Sequence, residues 1–96
     1  MFARVSTYRG DPAQIETGLA RVREDIIPRV QQLDGFKGLQ YLVDRESGKS
    51  LSITLWETEE ALHASEEAAN RLRSESAEAS SATVEDVERY EVAVSS

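Results

Sequence analysis

"LSITLWETEE", residues 51–60, decides the fold. Its first half alternates apolar and hydroxyl side chains with period two, which marks a half-buried strand. At Trp56, the only tryptophan, the pattern stops and an acidic, helix-favouring segment begins. Thr58 can cap that helix, and Glu59 and Glu60 lie in its first turn, where negative charge is favoured; Ala61 denies it the full capping box. The stretch therefore reads as a strand delivering Trp56 to a helix start. Two readings of the indole stay open at this point: core packing with its N–H bonded, or the wall of a site.

Upstream, Phe36–Asp44 and Lys49–Glu57 read as two strands joined by "RESG", an antiparallel hairpin. Residues 2–9, "FARVSTYR", alternate as a first strand, with Phe2, Arg4, Ser6 and Tyr8 on one side and Ala3, Val5 and Thr7 on the other. "GDPAQ" then starts a helix, with Asp11 as cap, Pro12 in the first turn and Gln14 at the capping-box position. Ile15, Leu19, Val22, Ile26, Val30 and Leu33 form one stripe along it, Pro28 predicts a kink or break near Asp25 to Pro28, and Gly35 ends it.

Downstream, Leu62, Ala69 and Leu72 mark the buried side of the second helix. "SESAEASSAT", residues 74–83, is expected to be a fraying helix end and linker, and "VERYEVAV", residues 87–94, a last strand. The order is β-α-β-β-α-β, a ferredoxin-like α+β fold: a four-stranded antiparallel sheet with two helices on one face, in a single domain spanning residues 1–96.

Such a sheet leaves one face bare, yet apolar residues fall on both parities. Leu39, Tyr41, Val43, Leu51, Ile53, Leu55, Val92 and Val94 supply one side; Phe2, Tyr8, Phe36, Leu42 and Trp56 fall on the other. Periodicity does not say which side meets the helices. Two apolar faces need two covers, and a second copy of the chain is the expected second one, giving a homodimer. A monomer with scattered surface apolar residues is the alternative.

Composition bounds the partners. Apolar residues make up 40% and charged residues 30% of the 96 residues, an ordinary globular balance. A net charge of -7 repels phosphate backbones and anionic lipid, so neither nucleic acid nor membrane is an expected partner. There is no cysteine, hence no disulfide, thiolate nucleophile or cysteine-type zinc site, which fits a cytoplasmic protein. RNA-recognition motifs share the element order, but "SLSITLWE" lacks their basic-glycine-aromatic pattern.

The element order, "GFKGLQYLVDRESGKSLSITLWETEEAL" and the closing "VERYEVAV" resemble the antibiotic biosynthesis monooxygenase family over nearly the whole chain. The shared motifs are the "GFKG" lead into the second strand and the strand ending in Trp56-Glu57 before a helix. The resemblance implies a dimeric α+β barrel, and it places Trp56 at the family's site tryptophan with Arg4 and Ser6 nearby. It also implies a small apolar or aromatic ligand, phenolic compounds among them. Since the family holds both cofactor-free oxygenases and members with no known activity, oxygenation by dioxygen with no cofactor and a non-catalytic binding or structural module both stay open. Haem-degrading members pair that tryptophan with an asparagine and a histidine. Here the first strand offers Ser6 and Thr7, and "NRLRSES" has no histidine, which argues against haem breakdown.

The candidate site is therefore Arg4, Ser6, Gln40, Thr54 and Trp56, with Arg89 of matching parity and no metal. Ser52, Thr54 and Trp56 share one parity, and a polar-tipped apolar pocket is the usual form of a small-molecule site. His63, between Glu59, Glu60, Glu66 and Glu67 at helical spacing, reads as a solvated surface histidine rather than a catalytic base. Those glutamates read as a solvated helix face rather than a cation site.

Overall fold

A computed structural model describes residues 1–96. Strand β1 (Phe2–Arg9) is followed by a short 3-10 turn (Pro12–Gln14), α1 (Ile15–Arg21), a π turn (Val22–Ile26) and α2 (Ile27–Val30). The hairpin β2 (Phe36–Val43) and β3 (Lys49–Trp56) comes next, then α3 (Glu59–Ala64), α4 (Glu66–Ala79) and β4 (Thr83–Glu91). The sheet is antiparallel in the order β2-β3-β1-β4, the ferredoxin-like arrangement expected. No helix is long and apolar enough to cross a membrane.

Local chemistry accounts for the helix boundaries. Asp11 Oδ1 accepts from the Ala13 N–H at 2.9 Å, and Thr58 Oγ1 accepts from the Ala61 N–H at 3.0 Å. The break expected near Pro28 takes the form of the π turn. Pro28 has no N–H to give the carbonyl four residues back, and the Ile27 N–H reaches Val22 O across the wider turn. Gly48, in the hairpin, has φ +81, and a Cβ there would lie 2.0 Å from the Gly10 carbonyl oxygen.

Three expectations need correction. Residues 74–79 are helix, not linker: α4 continues to Ala79 because Ser76 and Ala77 are small enough to be buried against the sheet side. The helix closes through the Ala82 N–H to Ala77 O at 2.8 Å, with Ser81 at φ 52 in the left-handed position. The last strand runs Thr83–Glu91 rather than 87–94, so Val94 lies beyond it, 90% exposed.

The third concerns the faces. Pairing between β2 and β3 shifts between Phe36, opposite Trp56, and Gly38, opposite Leu55. A bulge of this kind inserts one residue and reverses the parity beyond it. Leu39 and Tyr41 therefore turn to the helices with Trp56, while Gln40 and Leu42 share the opposite side with Leu51, Ile53 and Leu55.

The core lies between sheet and helices. Val22, Ile26, Val30, Leu62 and Leu72 close over Trp56, which is fully buried, with Phe36 edge-on at 5.7 Å. The packing reading of the indole holds: it fills core and its Nε1–H donates to Thr54 Oγ1 at 3.0 Å, while one side of it also lines the cleft described next.

Candidate functional site

The cleft lies under the helices beside Trp56, with about 470 Å³ of space including its open mouth. Val22, Ile26, Val30 and Leu72 contribute from the helices, and Leu39 and Tyr41 from β2. Polar atoms come from the sheet: Arg4, Ser6 and Tyr8 on β1, and Ser52 and Thr54 on β3. The register explains this set, since Arg4 pairs with Thr54 and Ser6 with Ser52, placing alternate residues of two central strands on one face. Ala69, Arg73 and Ser76 of α4 complete the lining.

Of the residues picked out from the sequence, Arg4, Ser6, Thr54 and Trp56 come together in this cleft. Gln40 does not. It is exposed and opposite Ile53, because the bulge before it turns its side chain from the helices and gives its expected place to Leu39 and Tyr41. Arg89 pairs with Arg4 across β1 and β4 and reaches Glu66 rather than the cleft lining. His63 is exposed on α3.

Arg4 is the unusual group, a guanidinium only 2% exposed. Its Nη2 donates to Leu62 O at 2.8 Å, Ser65 Oγ at 3.1 Å and Glu66 Oε1 at 2.9 Å. The break between α3 and α4 at Ser65 makes this possible, because cations are favoured by the free carbonyls where a helix ends. Ser65 Oγ in turn donates to Leu62 O at 2.7 Å, leaving its lone pairs for Arg4. The Trp56 ring centre lies 5.5 Å from Arg4 Cζ, within cation–π range.

Glu66 is shared. Arg89 Nη2 donates to its Oε2 at 2.7 Å while Arg4 holds Oε1, so Arg89 first and Arg4 second pull its carboxyl down to about 2. Burial lowers the Arg4 pKa against the opposing pull of Glu66. Tyr8, buried with its hydroxyl 3.2 Å from Ser52 Oγ, is pushed up to about 12, chiefly by burial, and remains a neutral phenol near neutrality. Tyr8 stacks on Tyr41 at 5.8 Å, and the Tyr41 hydroxyl meets Ser76 Oγ at 3.3 Å.

Sequence reasoning put Ser52 on the pocket-bearing parity without counting it among the site residues, and missed Tyr8, Tyr41, Arg73 and Ser76 as lining residues. The parity of Arg4 and Ser6 pointed to Tyr8, and that of Thr54 and Trp56 to Ser52; the helix residues carried no comparable signal. Chemically, the cleft offers an apolar body site, hydroxyls and guanidinium N–H donors. Neither a carboxylate nor a histidine lines it.

The cleft lies between an antiparallel sheet and its helices, an α+β arrangement, and comparison with known structures identifies the fold. The haem degrader MhuD of Mycobacterium tuberculosis, solved with two haems bound, superposes with a TM-score of 0.74 at 18% identity, over 100% of this chain and 99% of that one. An antibiotic biosynthesis monooxygenase gives 0.64 at 21% identity, over 99% and 100%. SnoaB, a cofactor-independent oxygenase from Streptomyces nogalater, gives 0.62 at 18%, over 98% and 94%. The chain has the fold of the antibiotic biosynthesis monooxygenases.

In sequence, the chain is 40% identical over 93 residues to the uncharacterised protein Rv2557 of Mycobacterium tuberculosis, covering 97% of this chain and 41% of that protein. It is 39% identical over 77 residues to Rv2558 of the same organism, covering 80% and 33%. The chain thus spans about two fifths or less of the length of these relatives. No sequence-family profile matches it.

Proposed function

We propose that residues 1–96 form one domain that pairs with a second copy through the bare sheet face and binds a small apolar or aromatic molecule in the cleft beside Trp56. The observation that carries this reading is the cleft itself: aliphatic residues from the helices face a row of polar atoms from two central strands, the build of a small-molecule site. Arg4, Ser6, Thr54 and Trp56 are its anchors.

Cofactor-free oxygenation of a phenolic ligand is the chemical activity in keeping with this fold and with the described chemistry of SnoaB. In it an electron-rich substrate loses a proton and passes an electron to dioxygen itself, while the protein supplies desolvation and polar anchors. One observation favours a second, non-catalytic reading, a binding module. No histidine or carboxylate stands in the cleft to take that proton, and Tyr8 is held in its neutral form.

A fluorescence titration separates the readings, because Trp56 is the only tryptophan. Phenolic compounds and haem are added in turn, and oxygen uptake is followed for each that binds. Quenching with oxygen consumption supports the oxygenase; quenching alone supports the binding module. An unchanged indole signal across the panel rules out a phenol or haem site and with it the phenolic oxygenase.

A further inference from the structure

The donors of Arg4 are only partly used. Nη2 serves three acceptors, whereas Nε and Nη1 are buried and have no hydrogen-bond partner. An arginine carries five N–H hydrogens, so three of them lack an acceptor, in a residue that lines the cleft. The Trp56 ring attracts the charge but supplies no lone pair. Buried donors are almost always satisfied, and an unsatisfied set on a cation points to something that brings oxygen to it.

The local charge agrees. Arg4 and Arg89 share one carboxylate, Glu66, and Arg73 at the cleft has only the uncharged Asn70 Oδ1 as a side-chain partner, at 3.1 Å. Three cations therefore face one anion in a chain whose net charge is -7. Glu66 disfavours a dianion beside it, and the aliphatic helix side calls for an apolar body.

We propose that the ligand of this cleft is an apolar or aromatic monocarboxylate, with its carboxylate on the unpartnered N–H groups of Arg4 and toward Arg73, and its body under Val22, Ile26 and Val30. This rests on the reading of the cleft as a ligand site, and it adds the charge and functional group of the ligand.

Two probes of matched shape test it: hydrocinnamate and hydrocinnamyl alcohol, each titrated near neutral pH by calorimetry and by Trp56 fluorescence. The acid is expected to bind at least about tenfold more tightly than the alcohol, as charge-assisted hydrogen bonds require. In Arg4→Gln this preference disappears while alcohol binding persists. Arg73→Gln, a change on the half-buried helix side, leaves the Arg4–Glu66 contacts intact and reduces the preference severalfold, so the test survives even if Arg4→Gln fails to fold. Equal affinity of acid and alcohol for the native protein overturns the carboxylate assignment and leaves the apolar site standing. Binding of neither probe overturns both.

Discussion

The two faces of the sheet invert the usual arrangement. The face covered by helices carries the buried polar groups Arg4, Ser6, Tyr8 and Ser52, each of the two larger ones tied to a named partner. The face with no helix over it presents Val5, Leu51, Ile53 and Leu55, flanked by Leu42, 46% exposed, and Tyr90, 51% exposed. In a solitary domain the exposed face of an antiparallel sheet is the polar one. The difference is that buried polar groups gather under the helices while the bare face is apolar, and the proposed ligand and the proposed second copy each answer one side of it.

The comparison can be broken most severely on the covered side. Trp56→Ala is expected to cost about 3–5 kcal/mol, measured by denaturant unfolding, because it empties the centre of the core. A loss below about 1 kcal/mol would show that the cleft side is loosely packed. On the bare side, Ile53→Lys should leave far-ultraviolet circular dichroism unchanged yet weaken self-association by about a hundredfold or more, read by light scattering, since the proposed pairing would bury a charge with no partner on an apolar face. Unchanged mass would end the pairing proposal.

Glu66 sharpens the contrast by pH. Its carboxyl is depressed to about 2 by Arg89 and Arg4, so it stabilises the fold above the ordinary carboxylate range, and that contribution is lost as pH falls toward about 2. Glu66→Gln is expected to cost about 1–2 kcal/mol near neutrality, a figure kept small by its partial exposure, and to flatten the acid limb of the stability profile. An acid limb identical to the native one would show that the Arg4 network does not bear on folding. The smallest effect lies away from both faces: Ser81→Gly relieves a left-handed φ of 52 and should raise stability by about 0.5–1 kcal/mol in thermal unfolding.

Much of this was legible from local chemistry. Asp11 and Pro12 announced a helical start, Thr58 another, and period-two alternation placed Arg4 and Ser6 beside Thr54 and Trp56. Gln40 was misplaced because the bulge between Phe36 and Gly38 arises from pairing with β3, and nothing in an alternating run of side chains records one inserted residue. The serine-rich 74–79 segment looked like a linker because its burial depends on Tyr41 and the sheet beneath it. The partners of Arg4 lie some sixty positions away, so neither its burial nor its spare donors leave a trace in local sequence.

Val22, Ile26 and Val30 follow one another at intervals of four, which in a regular α-helix would rotate each about 40° past the last. The wide turn before Pro28 absorbs that rotation and keeps all three pointing down at the indole. The wide turn thus shapes the cleft roof at the point where Pro28 lacks an amide hydrogen. Restoring it, as in Pro28→Ala, would let the helix rewind and swing Val30 sideways, so that the cavity could be remodelled from above while every strand beneath it stayed in place.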